Sequence, residues 1–191
     1  NTPASTATHP AAQALTATSG TFTGALTGTS ATLSDSAQRA QTFVLQADEA
    51  GDGVAQTLTN FAELSGDYTR VGAANFSHSS GIFSSATTGT FLCLQQFSLT
   101  ASGAQDVFDM AIEISTDSGS NFTPRALVIT EASNGTFVAL SQQTIFTVSN
   151  TTTFRLRYRL GEANSVATNN TIRGNANQTE TAITFIKLGV L

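Results

Sequence analysis

Charge is scarce in this sequence. Asp, Glu, Lys and Arg make up 11% of its 191 residues, against roughly 25% in an average soluble protein. Lysine occurs once, at Lys187, and the net charge is −5. No basic patch is dense enough to neutralise a run of phosphates, so nucleic acid is not expected as a partner. Long apolar runs are also missing. None approaches the roughly 20 residues that span a bilayer, so no membrane insertion is expected. No charged head followed by an apolar block marks a signal peptide.

Cysteine occurs once, at Cys93, which excludes an internal disulfide and a cysteine-based zinc site. It lies in the apolar, strand-like run FLCLQQFSL and reads as a buried small hydrophobe. The histidines are His9 and His78, and no dyad with Cys93 is suggested. Tryptophan is absent and tyrosine is limited to Tyr68 and Tyr158, which leaves little aromatic platform for a sugar. Asp106, Asp109 and Glu113 cluster in sequence, and paired carboxylates are the minimum for glycoside hydrolysis. Asp109 and Glu113 share one strand face, however, and read more simply as a solvated face. DEAGDG, with Asp48, Glu49 and Asp52, lacks the alternating oxygen spacing and closing glutamate of a calcium loop. No catalytic residue, metal site or cofactor is expected.

Thr, Ser, Asn, Gln and Gly fill the place of the missing charge. Surfaces wetted by hydroxyls and amides are more usual outside a cell, or on a particle, than in cytosol. Residues 1–18 carry Pro3 and Pro10 and almost nothing apolar, and read as an extended arm. Residues 19–35, SGTFTGALTGTSATLSD, place glycines at 20, 24 and 28, with Phe22 and Leu26 on the same period of four. One chain buries too little here to offset its backbone entropy, whereas several chains wound together could bring Phe22, Leu26 and Leu33 to a common axis. In residues 36–53, Ala37, Ala40, Val44 and Ala47 fit a heptad spacing, while TFVLQ is a good short strand. A strand or neck element is expected there. The expected division is an arm at 1–18, a shaft and neck at 19–54 and a head at 55–191.

From residue 55 the reading is all-β. VFDMAIEIS alternates, with Phe108, Met110, Ile112 and Ile114 on one face and Asp109, Ala111 and Glu113 on the other. RALVITEASNGTFVAL reads as a hairpin across Asn134-Gly135, and TIFTVSNTTTFRLRYRLG as another around 149–152. Many short strands separated by turn residues predict a β-sandwich or barrel.

SGTFTGALTGTSATL resembles the Gly/Thr repeats in the shafts of bacteriophage tail and head fibres. Residues 61–191 are similar in outline to the C1q/TNF-like jelly roll, through Asn75, GIF at 81–83, TGTFLCL at 88–94 and the closing TFIKLGVL. The order of arm, thin shaft and β-rich head resembles trimeric viral fibres. These resemblances imply an all-β, non-enzymatic structural protein of the virion surface, a homotrimer that attaches to other virion proteins through residues 1–18. Its jelly-roll head would project and contact a host surface glycan or protein. The alternative is a carbohydrate-binding module or adhesin of cellular origin.

Two further motifs carry expectations. Arg155, Arg157 and Arg159 alternate on one face of one strand, suited to an anionic glycan, to a subunit contact, or to neighbouring acidic strands such as DMAIEI. Ser115, Asp117, Gly119, Asn121 and Phe122 match the Asp-box of sialidase-like propellers. A propeller needs that motif several times over, and one copy reads as a polar β-turn. Sequons occur at Asn75, Asn121, Asn134, Asn150, Asn169 and Asn177, a number that chance explains in a chain so rich in Asn and Thr.

Overall fold

The computed structural model describes residues 39–51, 55–64, 70–101, 106–133, 135–163 and 170–189. The expected arm and the shaft residues Phe22, Leu26 and Leu33 lie outside these. Fourteen strands run through the described residues: β1 (Arg39–Leu45), β2 (Ala47–Ala50), β3 (Gln56–Thr57), β4 (Phe61–Glu63), β5 (Arg70–Val71), β6 (Phe76–Ser79) and β7 (Ile82–Ser85). They continue as β8 (Gly89–Thr100), β9 (Asp106–Ser115), β10 (Thr123–Ala132), β11 (Phe137–Val148), β12 (Arg155–Ala163), β13 (Thr171–Asn175) and β14 (Ala182–Gly189).

The strands form two antiparallel sheets. One orders β2-β13-β8-β14-β1-β4, with β11 also paired to β8 and β5 to β1. The other orders β10-β9-β12-β7-β6, with β3 on β12. The sequence reading of an all-β sandwich holds. The two hairpins expected across Asn134-Gly135 and around 149–152 do not. β10 pairs with β9 and β11 pairs with β8, so the chain crosses from one sheet to the other between β10 and β11. The 149–154 connection crosses back, because β12 pairs with β9. Such crossings between consecutive strands are what make a jelly roll of the sandwich.

The expected head boundary at 55 also moves. β1 lies within the larger sheet, registered to β14 from Arg39↔Lys187 to Val44↔Ala182 and to β4 on its other side. TFVLQ is therefore a strand of the head, and a cut at residue 55 would remove it.

The core follows from the period of two. On β8, Phe91, Cys93, Phe97 and Leu99 point inward and are fully buried. On β9 the one-face set Phe108, Met110, Ile112 and Ile114 is buried too, and on β12 so are Leu156, Tyr158 and Leu160. Phenylalanine does the work that tryptophan would do elsewhere. Phe76 of β6 stacks on Phe185 of β14 with ring centroids 4.0 Å apart, and Phe43 of β1 meets Phe83 of β7 edge-on at 5.2 Å. These pairs join one sheet to the other and add to simple area burial.

Polar side chains inside the sandwich are used as rungs. Gln41 Oε1 accepts the backbone N–H of Asn75 at 3.0 Å and of Phe76 at 2.8 Å. Its Nε2 donates to Phe76 O at 3.0 Å and to Glu63 Oε2 at 3.1 Å. One side-chain amide thus ties β1 to β6 across the gap between the sheets, with its polar groups satisfied as burial demands. Asn75 is itself wholly buried, so its sequon is inaccessible in the folded chain. Gly89, at the start of β8, has φ 140°, and a Cβ there would stand 2.5 Å from Gly189 O. Its place in TGTFLCL is set by that close approach.

Candidate functional site

The three arginines of β12 lie on the outer face of the smaller sheet, opposite the inward Leu156, Tyr158 and Leu160. In the β9–β12 register Arg157 faces Glu113, Arg159 faces Ala111 and Gly161 faces Asp109. The side chains complete what the register begins. Arg157 Nε donates to Glu113 Oε2 at 2.6 Å, and Arg159 Nε donates to Glu113 Oε1 at 2.9 Å. Arg159 Nη2 also pairs with Asp109 Oδ1 at 3.0 Å, as an ion pair without hydrogen-bond alignment. Both oxygens of one carboxylate are thereby occupied, and Glu113 is 5% exposed although it points away from the core.

Gly161 makes the arrangement possible. An ideal Cβ there would lie 2.5 Å from Arg159 Nη1 and closer still to Asp109 Oδ1. A side chain at that position would occupy the space the pair uses.

Of the three readings of these arginines, the structure favours pairing with the acidic strand for Arg157 and Arg159. Their charges are met within the chain, by the DMAIEI strand. Arg155 differs. Its Nη1 donates to the carbonyls of Phe154 at 2.6 Å and Thr151 at 3.4 Å, which ties it to its own turn. The guanidinium of Arg157 further lies 4.2 Å from the centre of the Phe122 ring, a cation–π contact that links the ion pairs to the β9–β10 turn.

That turn is the Asp-box match, and it is a hairpin connection. Ser115 Oγ donates to Asp117 Oδ1 at 2.5 Å and accepts the Gly119 N–H at 2.9 Å. Asp117 Oδ1 accepts the Asn121 N–H at 2.9 Å, and Oδ2 accepts Asn121 Nδ2 at 2.7 Å. Ser118 and Gly119 take positive φ values of 65° and 93°. The bonds from Ser115 and Asn121 favour the ionised carboxylate and hold the Asp117 pKa down at about 2. The side chains of Ser115, Asp117 and Asn121 are thus engaged in the turn itself.

Cys93 and Tyr158 are titratable groups buried in the core. Burial pushes the Cys93 thiol far up, as its reading as a small hydrophobe requires. Burial likewise raises the Tyr158 phenol, whose hydroxyl donates to Met110 Sδ at 3.8 Å. Among the described residues no three His, Cys, Asp or Glu side chains are grouped to hold a metal ion.

What sequence reasoning passed over is apolar and exposed. Leu127 and Ile129 on β10 are 53% and 61% exposed, and Phe137 and Ile145 on β11 are 59% and 63% exposed. β10 is the edge strand of the smaller sheet, and β11 lies outermost beside β8 in the larger one. The two edges bound one open flank of the sandwich, with Leu127 and Ile129 on the outer face of the smaller sheet and Phe137 and Ile145 on the outer face of the larger one. Alternation was the available signal: their neighbours Val128, Val138 and Leu140 pack on the core, so each strand carries apolar residues on both faces. Beside this flank the outer face of the larger sheet holds an open groove of about 720 Å³, with Thr42, Leu94, Gln96, Gln143 and Thr184 in its lining.

No protein-family model matches the sequence, and no curated protein matches it. The fold does have solved counterparts. The crystal structure of murine APRIL at pH 5.0 is similar with a TM-score of 0.57 at 10% identity, over 80% of this chain and 100% of that one. The same protein at pH 8.5 gives a TM-score of 0.54 at 12% identity over the same shares. The described head is thus a TNF-like jelly roll. The likeness is one of fold, and it agrees with the expectation carried by Asn75, GIF, TGTFLCL and TFIKLGVL.

Proposed function

We propose that this chain is a non-enzymatic structural subunit, a homotrimeric fibre or spike of a phage particle, attached by residues 1–18 and projecting the jelly-roll head. The observation that carries the assembly is the exposed flank. Leu127, Ile129, Phe137 and Ile145 place four large apolar side chains along two edge strands. Unpaired edges flanked by apolar side chains invite association with another chain. Covering one copy's flank with a different surface of the next gives a heterologous contact, which closes into a ring when the rotation permits.

The particle assignment rests on the sequence: the period-four glycines at 20, 24 and 28, the scarcity of charge, and the order of arm, shaft and head. In this reading the virion surface is the location, and the head meets the host surface through its loops. Proteomic analysis of purified phage particles tests it. Peptides of this chain, at a copy number divisible by three, are the expected result. Their absence from particles, with the protein found in the secreted or cell-wall fraction of a cell, would overturn it.

The second reading is a carbohydrate-binding module or adhesin of cellular origin. It is favoured by the groove on the larger sheet, where Thr42, Gln96, Gln143 and Thr184 offer hydroxyls and amides beside Leu94, groups suited to sugar hydroxyls. Glycan binding by the full chain, lost on Gln143→Ala, would favour this reading.

A further inference from the structure

The β6–β7 hairpin holds His78, the one histidine among the described residues. Its turn is two residues long, Ser80 and Gly81, with φ of 50° and 83°, the geometry of a tight hairpin whose twist suits the strands. The His78 ring points inward at the flank where β6 and β4 are the edges of their sheets. Its centroid is 4.6 Å from that of Phe83, 5.7 Å from Phe61 and 6.5 Å from Phe43.

Nε2 accepts the Gly81 N–H at 3.1 Å, and the ring packs edge-on against Phe61 of β4. The imidazole thus holds its own hairpin tip closed and seats it against β4. The tip also presses on the segment before β4. A Cβ at Gly81 would stand 2.7 Å from Thr57 Cγ2 and 3.1 Å from Leu58 O.

Only a neutral imidazole can accept the Gly81 N–H, because protonation turns the accepting nitrogen into a second donor. We propose that this hairpin is an acid-released latch: protonation of His78 breaks the Gly81 N–H to Nε2 bond and frees the β6–β7 tip from the 57–61 segment. The groups around the ring support the release. Phe43 of β1, Phe61 of β4 and Phe83 of β7 carry no charge that would compensate an imidazolium by pairing. Among the described residues, the carboxylates of β4 and β2 are already engaged. Glu63 of β4 bonds Gln41 and pairs with Arg70 at 3.4 Å. Glu49 of β2 accepts the amides of Thr59 and Asn60. Burial lowers the imidazole's affinity for a proton in the closed form, so the open form takes the proton more readily. Acid therefore favours opening, and opening uncovers Phe61 and Phe83.

This inference does not depend on the fibre reading. Amide hydrogen exchange of the full chain, corrected for the intrinsic pH dependence, tests it between about pH 7.5 and about pH 5. The protection of Gly81 should fall severalfold towards acid. His78→Gln, which can accept the same N–H and takes no proton in this range, should abolish that fall. Equal behaviour of the two proteins, in either direction, would overturn the proposal. If His78→Gln does not fold, the Gly81 amide shift of the wild type should move in step with the His78 ring titration. A Gly81 shift that ignores that titration would overturn the proposal as well.

Discussion

Glu113 lies directly across from Arg157 in the β9–β12 register, and its Oε2 accepts Arg157 Nε at 2.6 Å. Arg159 takes the other oxygen, so one carboxylate bridges two guanidinium groups on the outer face of the smaller sheet. Glu113→Ala removes the carboxylate that Arg157 pairs with and leaves Arg159 with Asp109. The expected loss is about 2 kcal/mol, short of the full cost for a wholly buried pair because both guanidiniums keep some contact with water. Arg155→Gln, which breaks only bonds to backbone carbonyls of its own turn, should cost less than about 1 kcal/mol. Urea unfolding midpoints of the two variants give the comparison. The opposite order would show that the register does not set the pairing.

The Asp117 carboxylate orders the β9–β10 turn as an anion, with a pKa of about 2 against an ordinary value of 3.8. Between those values the unfolded chain binds the proton and the folded chain does not. The contribution is therefore complete above the ordinary carboxylate range and is lost as pH falls through that window to about 2. A carboxyl titration followed by NMR should place Asp117 well below the exposed carboxylates. Asp117→Asn should leave the Asn121 amide less protected from exchange at neutral pH, and the acid-induced loss of that protection should disappear.

Gly89→Ala tests the close approach of β8 to the end of β14. The new Cβ would meet Gly189 O at 2.5 Å on a backbone with φ of 140°, and the expected cost is about 2 kcal/mol or more. Gly135→Ala is the control, since a Cβ there meets nothing within 4 Å at φ 74°. Its cost should be confined to backbone strain of about 1 kcal/mol. Thermal unfolding of the two variants separates the contributions of space and dihedral angle.

Much of this architecture could be read from the sequence because strand faces follow a period of two. Phe108, Met110, Ile112 and Ile114 alternate with polar or small residues, and burial on one face follows whatever the partner strand is. Pairing across the fold was less legible. Asn134-Gly135 has the sequence of a hairpin turn, but β10 pairs with the strand before it, β9, and β11 pairs with β8, so the connection crosses between sheets instead. TFVLQ reads as a short strand by itself, within a strand or neck element, and only the register with β14 places it in the head. Gln41 could have been found. Phe43 points inward, so Gln41, two residues earlier, must point inward too, and a buried amide needs partners. The exposed flank escaped notice because a strand apolar on both faces reads as buried when no neighbour is known.

The flank makes its own prediction. Ile129→Asp together with Ile145→Asp places charge on two outward positions that touch no buried core, so folding should be preserved within about 1 kcal/mol. The assembled mass should fall to that of a single chain, as read by sedimentation velocity. An unchanged mass would move the interface elsewhere on the head or into residues 19–38.

The solution mass of the intact protein, by multi-angle light scattering, tests the central claim most directly. The account predicts three copies of the 19.8 kDa chain. A single copy across the concentrations tested would contradict it, and the exposed flank of β10 and β11 would then need some other occupant.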